Sequence, residues 1–164
     1  MISLKIDDVK SFMAKLLTNT LFDEFVLKEM EIQTFTSFNV TGQFHESFFS
    51  KDELEERGSS AVFWRDIRAI ALAMIRGNKT PLSMKIVFQL PKGDYGKFSE
   101  SLGVKFNLEE VAGLFLNIRF EKNELRIITG TAMKIFTLDK TIDQEWDTWV
   151  KKFLHSQSIY FEEE

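Results

Sequence analysis

Hydrophobic positions along the chain recur first at helical and then at strand spacing. Ser3-Leu4-Lys5-Ile6 reads as a short strand. After Asp7, a good N-cap, Val9, Phe12, Met13, Leu16 and Leu17 fall at i, i+3, i+4, i+7 and i+8, the buried stripe of a helix. From Met30 to Phe44 the period drops to two. Met30, Ile32, Thr34, Thr36, Phe38, Val40 and Phe44 share one phase, and Glu31, Gln33, Ser37, Asn39, Thr41 and Gln43 fill the other. This predicts a half-buried antiparallel ribbon turning near Ser37, with Gly42 as a bulge or second turn, followed by an acidic, loop-like segment.

The stretch from Phe63 to Arg76 is apolar around most of a helical circumference, which predicts a largely buried connecting helix with Gly77-Asn78 as its C-terminal cap. Met84 to Leu90 reads as a strand ended by Pro91. Tyr95, Phe98 and Leu102 suggest a short helix closed by Gly103, with a further helical turn around Asn107 to Val111. Three consecutive strands are expected from Gly113 to Leu138. Leu114, Leu116, Ile118 and Phe120 alternate with Phe115, Asn117 and Arg119; Lys122-Asn123 supplies a turn; Leu125 to Thr129 returns; and Gly130 breaks the run before Thr131 to Leu138. Thr141 and Gln144 fit a capping box opening a last helix with Ile142, Trp146, Trp149, Val150, Phe153 and Leu154 on its apolar face. The closing run Glu162, Glu163, Glu164 reads as a solvated, frayed end.

These elements give an α+β fold in one domain, 1–164. A first half lies at about 1–50, a connecting helix at about 63–77, a second half at about 83–139 and a C-terminal helix at about 141–156. Strand, helix and ribbon occur twice, so the expected plan is a duplicated βαβββ unit with antiparallel sheets. Ser3-Leu4-Lys5-Ile6 and Ser83-Met84-Lys85-Ile86 open the two halves alike. The segment FLNIRFEKNELRIITGTAMKIFTL resembles, in pattern, one domain of the DNA sliding clamps, which implies a clamp-like fold. Over nearly the full length, TPLSMKIVFQL, AGLFLNIRF and TGTAMKIFTLDK resemble an uncharacterised family of small bacterial proteins, a domain of unknown function common in clostridial-type Firmicutes. That resemblance implies a bacterial, cytoplasmic origin and supplies no catalytic residue.

Composition narrows the chemistry. With Cys 0 the chain offers no disulfide, thiolate nucleophile, Fe–S cluster or Cys-ligated zinc, and with Pro 2 and Gly 8 it has no composition for a linker. Asp7 and Asp8 fall where a signal peptide needs its apolar stretch, so a soluble cytoplasmic protein with no membrane partner is expected. The net charge of −4 argues against a generic nucleic-acid binder. It conceals a gradient, because from Arg57 to Lys97 eight bases stand against Asp66 and Asp94 alone, an excess of six.

His45 and His155 lie in no metal-ligand spacing and read as surface or cap residues. Gly77-Asn78-Lys79-Thr80 is a phosphate-loop ending interrupted by Asn, and no Gly-x-Ser-x-Gly or Gly-x-Gly-x-x-Gly occurs. Asp7 with Asp8, and Glu53, Glu55 and Glu56, read as a cap and a solvated run. No catalytic set, metal site or cofactor is expected. The leading binding candidates are Arg65, Arg68 and Arg76 on one side of a helix, with Lys79 just beyond, suited to a nucleic-acid backbone or an acidic partner. The alternative is that they pair with the protein's own acids, such as Asp66 or the Glu53 to Glu56 run. Trp146 and Trp149 are partner anchors or core, and Phe48 and Phe49 a contact patch or a core plug. The function expected is a non-enzymatic binding or scaffolding domain. A homodimeric adaptor using Trp149 or Phe48 and a carboxylate-using enzyme are the alternatives.

Overall fold

Period-two alternation with one apolar phase makes a strand that can bury a single face, and a sheet of such strands needs cover on one side only. In the computed structural model, which describes residues 1–75, 79–103 and 107–164, seven strands join in one antiparallel sheet. They are β1 (Ser3–Ile6), β2 (Val26–Gln33), β3 (Ser37–Thr41), β4 (Ser83–Gln89), β5 (Val111–Glu121), β6 (Glu124–Met133) and β7 (Phe161–Glu163), in the order β3-β2-β4-β5-β6-β1-β7. Five helices are described: α1 (Val9–Leu17), α2 (Lys51–Arg57), α3 (Trp64–Met74), α4 (Tyr95–Leu102) and α5 (Thr141–Ser156). None of the described helices is long and apolar enough to cross a membrane.

The inward face carries Leu27, Met30 and Ile32 of β2, Met84, Ile86 and Phe88 of β4, Leu116, Ile118 and Phe120 of β5, and Leu125 and Ile127 of β6, all buried. Phe12 and Leu16 of α1, Trp64 of α3, Phe98 of α4, and Trp146, Val150 and Leu154 of α5 complete this core. Burial of each such side chain is worth roughly 1.5–3 kcal/mol. Two indoles also donate to backbone carbonyls at 2.9 Å, Trp64 to Leu16, tying α3 to α1, and Trp146 to Phe115, tying α5 to the sheet. On the other face the polar phase forms a ladder: Glu31, Lys85, Arg119, Arg126, Lys5 and Glu162 stand in register across six strands.

Several elements differ from expectation. Each half contributes a strand, a helix and two further strands rather than the full βαβββ unit, and in the second half Gly130 does not end the last run. It sits inside β6 opposite Phe115, where an added Cβ would meet Asn117 Nδ2 at 3.6 Å, and the strand continues to Met133. The expected third strand is absent among the described residues, and Ile135, Phe136 and Leu138 are exposed. The seventh strand comes instead from the acidic C-terminal run. Pairing with β1 holds it, with Glu164 donating its N–H to Ser3 and ion pairs from Glu163 to Lys151 and from Glu164 to Arg126.

The connecting helix is less buried than its composition predicts. Only Trp64 and Ala71 of α3 are buried, while Ile70 and Leu72 are exposed, since α3 packs by one side on α1 and β2. Its expected Gly77-Asn78 cap lies outside the described residues. The acidic segment after β3 is the helix α2, closed at its start by a capping box between Ser50 and Glu53. Asp8, not Asp7, caps α1 by accepting the Ser11 N–H at 3.0 Å. Lys140 is the N-cap of α5, and Asp139 accepts both the N–H and the hydroxyl of Thr141, so Thr141 makes no capping box. The Lys122-Asn123 turn and the Gly103 stop form as expected, with left-handed φ at all three.

Candidate ligand-binding hollow

Arg65 and Arg68 sit one turn apart on α3, and both meet acids of the segment between α1 and β2. Arg68 donates through Nε and Nη2 to the two carboxylate oxygens of Asp23 at 2.8 and 3.2 Å, and Asp23 is only 8% exposed. Arg65 donates to Glu24 at 3.1 Å, with its guanidinium 4.2 Å over the Phe63 ring. Planar forks bonded in this way give up donors that a phosphate would need, so the two arginines act first as ties between α3 and its neighbouring loop. Asp66 is taken by Arg57, whose Nη1 and Nη2 reach it at 3.2 and 2.5 Å, and it also accepts the Phe63 N–H. Burial pushes the Asp66 carboxyl upward. The hydrogen bonds from Arg57 and Phe63 and the charges of Arg57 and Arg65 outweigh that and hold it below the usual range. Arg76 lies outside the described residues.

The aromatic candidates separate in the same way. Trp146 is fully buried and edges Phe98 at 5.7 Å. Trp149 is half-buried and parallel to both Trp146 and Phe153, at 5.0 and 5.2 Å, and borders a cleft of about 210 Å³ with Phe25, Leu90 and Pro91. Phe49 stacks on Phe44 at 5.4 Å, and the Arg57 guanidinium lies over both rings. Phe48 is 83% exposed and touches Phe49 edge-on. His155 stacks on Phe161 at 4.7 Å. Among the described residues no three His, Asp or Glu side chains converge as a metal site.

Lys79 occupies a different setting. The flank of α1 turns Val9 and Met13 half outward, Ile75 and Pro81 come from the α3–β4 connection, and Phe120 closes the floor from the end of β5. Together with Leu17 and Asn123 they line a surface hollow of about 610 Å³, a ligand-sized space, with Lys10 and Lys79 as the charged residues among the described lining. Among the described residues neither lysine makes an ion pair. Lys79 and Thr80 also line a second hollow, of about 360 Å³, with Thr34, Phe35, Met74 and Leu82. An apolar seat with two uncompensated ammonium groups can hold a molecule that is apolar along its body and anionic at one end.

The expected residues therefore fall into separate places: Arg65 and Arg68 tied to acids, tryptophans stacked in or beside the core, and Lys79 at the hollow. Lys10, Val9 and Met13 were missed as site residues because the helical stripe assigns Val9 and Met13 to the core. The available signal was that they lie at the edge of that stripe, next to a lysine. The chain belongs to DUF5721, a family of unknown function, whose model matches residues 15–162. None of the curated proteins and none of the solved structures matches it.

Proposed function

We propose that this member of a family of unknown function is a binding domain whose ligand is an amphipathic anion, its apolar body in the hollow beside α1 and its carboxylate or phosphate met by Lys10 and Lys79. The observation that carries the reading is the pairing of an apolar lining, Val9, Met13, Leu17, Ile75, Pro81 and Phe120, with two lysines that have no acidic partner among the described residues. Each buried methylene offers about 0.8 kcal/mol, so roughly eight of them supply about 6 kcal/mol before ordering costs, which places binding in the micromolar-to-millimolar range. Support for an acidic partner or a nucleic-acid backbone on α3 is weaker, because Arg65 and Arg68 already hold Glu24 and Asp23.

Calorimetric titration with decanoate, decanol and decyltrimethylammonium separates the terms. Decanoate is expected to bind at least about tenfold more tightly than the cation, with decanol between them. The double variant Lys10→Glu, Lys79→Glu reverses the order of the two ions, and Met13→Trp, which fills the seat, weakens all three. Equal binding of the three, no binding of decanoate, or indifference to the charge reversal overturns the proposal.

A further inference from the structure

The sheet ends in two strands of opposite character. At one end β7 is Phe161-Glu162-Glu163 followed by Glu164, and a second copy laid against it would meet acid with acid. At the other end lies β3, Ser37-Phe38-Asn39-Val40-Thr41. Between Glu31 and Glu46 the chain has no Asp, Glu, Lys or Arg, although charged residues make up 28% of it, so this edge lacks the charge by which end strands repel another strand. It also lacks proline.

Hydrogen-bond parity shows which backbone groups are free for a newcomer. Thr34 donates to Thr36 at 2.9 Å and Gly42 to Lys28 at 2.7 Å, and between these points β3 pairs with β2 in the register Phe38 to Ile32 and Val40 to Met30. In an antiparallel ladder bonded pairs alternate with non-bonded ones, so Phe38 and Val40 bond to β2 while Ser37, Asn39 and Thr41 turn their N–H and C=O groups outward. All three are exposed.

We infer that two copies of this chain associate through β3, antiparallel about a two-fold axis at Asn39, to make one continuous sheet. The segment is self-complementary in that register. Asn39 faces Asn39, Ser37 faces Thr41, and about six backbone hydrogen bonds form between the copies. Phe38 comes beside Val40 of the other copy on the helix-covered side, an aromatic and β-branched cross-strand pair. Phe35, which is 87% exposed at the β2–β3 turn, is carried alongside Gln43 and Phe44 of the other copy. The acidic β7 keeps the second edge from joining, so association stops at the dimer. This inference does not depend on the hollow or its ligand.

Sedimentation of the full chain over a wide concentration range tests it. Wild type is expected to reach a dimer and go no further. Asn39→Lys and Asn39→Glu, at an exposed position, each set like charges face to face and weaken self-association at least about tenfold, while an equimolar mixture of the two variants restores dimer to within about threefold of wild type. Circular dichroism of each variant alone checks that the fold is retained, and a variant that loses it is replaced by a pair of double variants: Ser37→Lys with Thr41→Lys, which sets lysines face to face and weakens the dimer, and Ser37→Lys with Thr41→Glu, which sets opposite charges together and keeps it. A wild type that stays monomeric, a dimer indifferent to the single charges, a mixture that fails to restore it, or open-ended polymers would each overturn the inference.

Discussion

The indole N–H of Trp146 donates to the carbonyl oxygen of Phe115 at 2.9 Å, pinning α5 to the middle of the sheet from a fully buried position. Trp149 lies parallel to it at 5.0 Å but is half-buried and has no such anchor among the hydrogen bonds described. Trp146→Phe removes both the donor and part of the ring, so it is expected to cost about 2–4 kcal/mol in urea denaturation. Trp149→Phe keeps a stacked ring in place and is expected to cost less than about 1.5 kcal/mol. Equal losses would mean that the stack, rather than the bond to Phe115, holds the helix.

Acid stability should depend on Asp66, which joins α2 to α3 through Arg57 and caps α3 through the Phe63 N–H. Its folded-state pKa is held below the ordinary value, where the Arg57 and Phe63 interactions outweigh the opposing effect of burial. A depressed carboxylate contributes stability that is fully present above its unfolded value of about 3.9 and is lost as pH falls through the lower folded value. Asp66→Asn should therefore lower stability at pH 7 by about 1 kcal/mol, a solvent-screened amount, and by progressively less below pH of about 4. Thermal melts at the two pH values compare them. A variant deficit that does not shrink in acid would assign the loss to something other than charge.

How far the sequence revealed the fold depended on whether a signal was local. The period-two runs of β4 and β5, the turn at Lys122 and Asn123, and the apolar face of α5 follow from neighbouring residues and appear where expected, whereas the first ribbon starts earlier, at Val26, and turns at 34–36, before Ser37. The acidic end looks frayed from its own residues because the reasons for its order, Ser3 and Arg126, are distant in sequence. Composition alone could not show that Ile70 and Leu72 would be left uncovered, since that depends on where α3 sits on the sheet. The same limit hid the site. Lys79 is legible as an extension of the arginine helix, but its companions Lys10, Met13 and Phe120 meet it only through tertiary packing.

The β5–β6 hairpin offers a stabilising change. Lys122 and Asn123 have φ of 53° and 62°, the left-handed pair of a two-residue turn that fits the twist of its strands. Lysine pays a steric penalty there that Asn or Gly avoids. Lys122→Asn with Asn123→Gly is expected to raise stability by about 0.5–1 kcal/mol, with the strand register unchanged. The readout is the urea midpoint at constant slope. A fall in midpoint would show that the Lys122 or Asn123 side chain holds something else in place.

Gly42 is the position where a methyl group should do most harm for its size. A Cβ built there would stand 2.0 Å from the Leu27 carbonyl oxygen and 2.7 and 2.8 Å from the carbonyl oxygen and Cα of Lys28. These are backbone atoms of β2, next to the register shift between Leu27 and Glu29, so no side-chain rotation relieves the clash. The Gly42 N–H bond to Lys28 at 2.7 Å holds the two chains at that distance. Gly42→Ala must then push the end of β3 off β2, at a cost of about 1–3 kcal/mol. Gly96→Ala in α4 is the control: nothing lies within 4 Å of its Cβ, and helix propensity predicts a gain of about 0.5–1 kcal/mol. Hydrogen exchange distinguishes a local from a global effect, because a displaced hairpin loses protection at Phe38 and Val40 before the rest of the sheet does. If Gly42→Ala proved as harmless as Gly96→Ala, the close approach of β3 to β2 at this point would be wrong.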